Sequence, residues 1–88
     1  MSLSDLEYDI LNCLYFVEPF HRIVEECQCD RNIVADELKN LIHKKMVSPM
    51  RFDEETHEYI RSFIYDTDNM DHYCYMATKE GLMAHNGR

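Results

Sequence analysis

Arg31, Asn32, Ala35, Asp36, Lys39 and Asn40 fall at spacings that put them on one outward face if residues 31–45 are helical, with His43 at its flank. Those types suit the edges of nucleic-acid bases. An arginine can donate two hydrogen bonds to guanine, and an asparagine can exchange two with adenine. Lys39, Lys44 and Arg51 are placed to hold phosphates, which position a protein on a duplex without reading its sequence. Asp36 suits phosphate poorly, although a carboxylate can accept from cytosine.

A second chemistry to test is metal binding. Cys27-x-Cys29 and His72-x-Cys74 supply the sulfur and nitrogen donors that tetrahedral zinc uses. One intervening residue is not the common knuckle spacing, which has two. Cys13, Cys27 and Cys29 also occupy positions where the helical pattern demands apolar groups, and a buried cysteine behaves as a small hydrophobe. The reading is core packing, with no metal and no cofactor. The five histidines show no HExxH spacing, and two glycines cannot build a phosphate-cradling loop. No catalytic constellation is fixed, so an enzyme is not expected.

The elements that must position these residues follow from hydrophobic spacing. Leu3, Leu6, Ile10, Cys13, Leu14 and Val17 recur at three and four residues, the buried face of a first helix. Ser4-x-x-Glu7 is a capping box at its start, and Pro19 is expected to stop it. A second helix spans about Phe20 to Cys27. Asp30 caps a third, whose buried stripe is Ile33, Val34, Leu38, Leu41 and Ile42 and which ends near Lys45. Residues 46–52 and 72–78 read as strands, with Pro49 restricting the first to a sheet edge. Thr78 caps a short last helix, Lys79 to His85. Between the strands, Tyr59, Ile60, Phe63 and Ile64 fit a helix face, while Tyr59, Phe63 and Tyr65 fit one side of a strand. The aromatic and β-branched content favours a long β-arm with a hairpin turn at Asp66-Thr-Asp-Asn69.

At 88 residues, with 45% hydrophobic and 30% charged side chains, the chain reads as a single globular domain over residues 1–88. No apolar run is long enough to cross a bilayer. The stretch MSLSDLE has no basic region followed by an apolar one, so the expected location is the cytoplasm, with reduced thiols. The net charge of −8 opposes a uniform nucleic-acid surface. Residues 30–51 are nevertheless locally basic, with five cations against three carboxylates. Residues 53–71 carry seven carboxylates against Arg61 alone.

From about Leu6 to His85, and most sharply from Ile23 to Val47, the chain resembles the winged helix-turn-helix superfamily of DNA-binding regulators. The apolar pair Ile23-Val24 is followed by Glu25-Glu26, then by Cys27, Gln28, Cys29 and the capping Asp30. Leu38, Leu41 and Met46-Val47 match the later leucines and the apolar pair leading into the first wing strand, and Tyr75-Met-Ala-Thr-Lys-Glu-Gly-Leu82 is similar to the second. The resemblance implies an α+β fold: a three-helix bundle with an extended β-hairpin wing and a short C-terminal helix. It implies double-stranded DNA as partner, with residues 30–45 as recognition helix in the major groove of a transcription regulator; one such helix reads too few base pairs for useful specificity, so a homodimer is expected. Gln28 and Lys45 stand where glycine is usual, at positions that often need positive φ. The wing is acidic, through Asp53, Glu54, Glu55, Glu58, Asp66, Asp68 and Asp71. Tyr8, Tyr15, Tyr59, Phe63 and Tyr65 exceed what so small a core can absorb, and they are the expected dimer contacts. The alternative is a winged helix that binds protein through its aromatic and acidic wing.

Overall fold

The computed structural model describes residues 3–88; Met1 and Ser2, part of the stretch read above for a leader, lie outside the described residues. Four helices and a four-stranded antiparallel sheet alternate as α1 (Asp5–Cys13), β1 (Glu18–Pro19), α2 (Phe20–Cys27), α3 (Arg31–His43), β2 (Val47–Asp53), β3 (Glu58–Arg61), β4 (Cys74–Ala77) and α4 (Lys79–Asn86), with a single 3-10 turn at Met70–His72. The sheet order is β1-β4-β2-β3.

The capping box forms as the sequence implies: Glu7 N–H donates to Ser4 Oγ at 3.1 Å, and Ser4 N–H donates to Glu7 Oε1 at 2.8 Å. The first helix does not continue to Pro19. It ends at Cys13, and Leu14 gives its carbonyl to Ala77 N–H at 2.9 Å instead. Glu18 and Pro19 then pair with Tyr75 and Cys74 of β4. A tertiary ladder bond here outcompetes another helical turn.

Gln28 and Lys45 both adopt the left-handed conformation, with φ of 53° and 64°. At each the steric penalty of a Cβ is about 1 kcal/mol. It is offset by satisfied helix ends: Gln28 N–H donates to Val24 O at 3.0 Å, and Met46 N–H donates to Leu41 O at 2.9 Å. Asp30 caps α3 by accepting from Asn32 N–H at 2.8 Å. Val34, Leu38 and Leu41 of α3 pack with Ile10 and Leu11 of α1, Leu14 just past its end, Ile23 of α2 and Tyr75 of β4, all fully buried. Ile33 is the exception to the stripe read from sequence. It is 52% exposed, because its neighbour Val34 takes the inward position.

Two strand expectations are corrected. Pro49 lies in β2, an interior strand rather than an edge. Its carbonyl faces the β3 side, where it accepts from Ser62 N–H at 2.9 Å, just beyond the last β2–β3 pair, Met50–Arg61. The missing N–H points to that same side, so the proline costs one bond, to the Ser62 carbonyl at the last position of the β2–β3 ladder, and leaves the β2–β4 ladder intact. The segment between the strands is not one long arm. The hairpin turns at residues 54–57, with His57 left-handed at φ 57°, and β3 ends at Arg61. Asp66 does nucleate a turn, accepting from Asp68 N–H at 2.9 Å and from Asn69 Nδ2 at 2.7 Å, but that turn leads into the 3-10 turn. Met70 plugs the core there, and its carbonyl accepts from the buried Tyr75 hydroxyl at 2.6 Å.

α4 docks through Gly81. A Cβ at this position would fall far inside contact distance of the Met46 carbonyl oxygen and 3.2 Å from Leu11 Cδ2. On an open helix surface Gly→Ala gains about 1 kcal/mol. Here Gly81→Ala is expected to destabilise the fold by about 3 kcal/mol, since backbone and not a flexible side chain must move. Urea denaturation of the two proteins checks the sign. Tyr75→Phe is expected to cost about 1–2 kcal/mol in the same assay, because it leaves the Met70 carbonyl unpaired.

Candidate functional site

The outward face of α3 is bordered on one side by the Asp66–Asp71 segment. Between them lies a cleft of about 410 Å³ whose lining includes Phe20, Arg31, Asn32, Ala35, Asp36, Lys39, Thr67, Asp68, Met70 and Asp71. Five of the residues read from sequence as base-contacting thus meet at one place. Asn40 is exposed on α3 but outside that lining, Lys44 sits past the end of α3, and Arg51 is exposed on β2.

The cations of this face are not free-standing. Arg31 places its guanidinium 3.2 Å from the Asp71 carboxylate and 5.7 Å above the Phe20 ring. Lys39 is 3.7 Å from Asp36. Lys44 reaches back across the bundle to Glu7, with Nζ 2.6 Å from Oε2. Arg51 has no ion pair among the described residues. The acidic segment is held in place as well as charged. Asp66 N–H donates to Tyr73 Oη at 2.8 Å. Hydrogen bonds from Asn69 and from Asp68 N–H hold the Asp66 carboxyl below the usual carboxylate range. At neutral pH, then, the N-terminal end of α3 faces fixed negative charge.

No family model, curated protein or solved structure matches the chain.

The expected dimer contacts separate into two groups. Tyr8 and Tyr15 are engaged within the chain. The Tyr8 ring stacks on His85 with centroids 4.3 Å apart and lies under Arg88 at 4.7 Å. The Tyr15 hydroxyl lies 2.8 Å from His85 Nδ1 and donates to Asn86 Oδ1 at 2.9 Å. Tyr65 is half-buried, edge-on to Tyr73 at 6.2 Å. Tyr59 is exposed and packs edge-on against Phe52 at 5.2 Å, while Phe63 is 86% exposed. The sequence reading missed Ile64, 90% exposed beside Phe63, and Phe52. Nothing in residue type flags them, because alternation fails where the chain leaves the sheet.

All four cysteines are unpaired and half-buried, and among the described residues no three potential metal ligands converge. Burial pushes the Cys13 and Cys74 thiols up, and pushes Cys27 up to about 12, with its neighbour Cys13 adding to the shift. These are not activated nucleophiles. No helix among the described residues is long and apolar enough to cross a membrane.

The Glu7–Lys44 pair sets a pH dependence. Burial raises the Glu7 carboxyl, but the Lys44 ammonium and the Ser4 N–H outweigh it, so its pKa lies below the usual value. Lys44 is raised, chiefly by its hydrogen bond to Glu7. The pair's contribution is therefore complete at neutral pH. It is lost on the acid side as pH falls through the depressed Glu7 value, and on the alkaline side as pH rises through the raised Lys44 value. Lys44→Met is expected to cost about 2–3 kcal/mol at pH 7 by stranding the Glu7 carboxylate. That cost should shrink towards pH 4, where Glu7 can protonate. Denaturation of both proteins across that range checks it.

Proposed function

We propose that the chain is a small recognition module of winged helix-turn-helix type whose partner is a protein bearing a basic segment rather than duplex DNA. The α2–turn–α3 unit, with Gln28 left-handed at the turn, followed by the antiparallel β2–β4 pair, supports the frame. β3 is then an added edge strand. The observation that carries the partner is the acidic segment beside α3. Asp68 and Asp71 line the cleft together with Asp36, and Asp71 occupies the Arg31 guanidinium. A phosphate approaching Arg31 would have to displace that carboxylate and then remain next to it. A lysine- or arginine-rich segment instead meets Asp68, which has no ion pair among the described residues, in a lining whose carboxylates outnumber its cations.

The second reading is a DNA-binding regulator. Its support is the position of Arg31, Asn32 and Lys39 on one outward face of a capped helix. The Arg31–Asp71 pair is exposed on both sides, and exposed pairs contribute about 0–1 kcal/mol, so it could open at modest cost.

Fluorescence anisotropy separates the two. With random-sequence duplex DNA at about 50 mM salt, no binding is expected up to about 100 µM protein. A lysine- and arginine-rich peptide should bind, and Asp68→Asn with Asp71→Asn should weaken that binding about tenfold. Micromolar DNA affinity that falls log-linearly with salt would overturn the protein reading. In that case Arg31→Ala should lose about 1–3 kcal/mol on a selected site. Lys39→Ala should weaken all sequences alike and flatten the salt slope.

A further inference from the structure

β3 is an outer strand of the sheet, and its free side is defined by its register. The Ser62 N–H to Pro49 O bond fixes the alternation of the β2–β3 ladder. Ile60 and Glu58 exchange bonds with Arg51 and Asp53, while Tyr59 and Arg61 form the non-bonded pairs with Phe52 and Met50. Tyr59 and Arg61 therefore turn their N–H and C=O groups away from the protein. The opposite edge, β1, is only two residues long. β3 contains no proline, and both its outward-turned residues are exposed. Edges of this kind are templates for another strand.

The edge is complementary to itself in one register. An antiparallel pair of copies needs a two-fold axis perpendicular to the sheet. An axis through Ile60 sets Tyr59 opposite Arg61 of the second copy, and Arg61 opposite Tyr59. Each of those pairs exchanges two backbone hydrogen bonds and lays a guanidinium beside a tyrosine ring on the same face. An axis through Arg61 would oppose two arginines. An axis through Tyr59 would require His57 to join the ladder, and its left-handed φ of 57° forbids that. In the Ile60 register the hairpin turn of one copy runs beside residues 62–65 of the other. There a groove of about 510 Å³ is lined by Lys45, Arg61 and the exposed Phe63, with Glu80 its single carboxylate. The turn brings Asp53, Glu54, Glu55 and Glu58, so its carboxylates meet the cations of that groove.

We infer that β3 is the contact edge of a homodimer in which two copies form one continuous antiparallel sheet about a two-fold axis at Ile60. This stands apart from the cleft at α3, and its test does not depend on the partner proposed there. A four-residue edge is smaller than a standard interface, so the dissociation constant is expected on the order of 100 µM.

Sedimentation equilibrium from about 10 µM to 1 mM should show the mass rising from 10.6 kDa towards twice that. Tyr59→Pro removes an N–H that β2 does not use, so the fold is retained while dimerisation weakens at least tenfold. Arg61→Glu gives the same loss by a route that leaves every backbone donor in place, should the proline variant unfold. Ile60→Cys tests the register. Ile60 meets its own copy at a non-bonded pair, close enough for a disulfide, so mild oxidation should give a covalent dimer. Tyr59→Cys should not, and the unsubstituted chain is the control for its own cysteines. A single-chain mass at about 1 mM, or dimerisation unchanged in both the Tyr59 and Arg61 variants, overturns the proposal. Efficient cross-linking of Tyr59→Cys but not Ile60→Cys overturns the register.

Discussion

The close approach of Gly81 to the Met46 carbonyl is the constraint on which the rest of the molecule hangs. At this joint α3 ends through the left-handed Lys45, β2 begins, and β4 passes into α4. The Lys45 carbonyl accepts from Thr78 Oγ1 at 2.6 Å, and the Met46 carbonyl accepts from Thr78 N–H at 2.9 Å. One threonine thus satisfies the end of one helix and, through the Gly81 N–H at 3.1 Å, the start of another. Leu11 of α1 lies against the same point. A side chain at position 81 would push α4 off both Met46 and Leu11, which is why a single methyl group matters there.

Charge is arranged around this frame in two different ways. Glu7 is buried, so its pairing with Lys44 bears on stability: an unpartnered carboxylate at that depth is expensive. The carboxylates of the 53–71 segment are mostly exposed and stabilise little. Asp68 and Asp71 among them set up a field beside α3 that acts on whatever approaches. The net charge of −8 is therefore a statement about partners far more than about the fold.

The helical part was legible because its signals are local. The Ser4–Glu7 box, the Asp30 cap, the Thr78 cap and the three-and-four spacing of α3 each need only a few residues of context, and each appears where the spacing places it. What failed depended on distant partners. α1 stops at Cys13 because Ala77 takes the Leu14 carbonyl, and Pro49 tolerates an interior strand because its missing N–H faces only the last position of the β2–β3 ladder. Neither fact is written in the neighbouring residues. Within the site, the face of α3 could be read from periodicity. The pairing of Arg31 with Asp71 could not, because forty residues separate them and the intervening segment suited a β-arm equally well.

The two ends of the described chain meet. Arg88 donates to the Ser4 carbonyl at 3.1 Å and pairs with the Asp5 carboxylate, while Tyr8, Tyr15 and His85 tie α1 to α4 just inside. In mechanical terms the molecule is a ring with a weak link. Tension applied at both ends would load this clasp first and open it one contact at a time, like a zip. The ladder between β2 and β4 lies behind it and would bear force only after α4 had peeled away. Once the clasp had opened, the load would pass to the Gly81–Met46 joint, where α4 is tied to the start of β2.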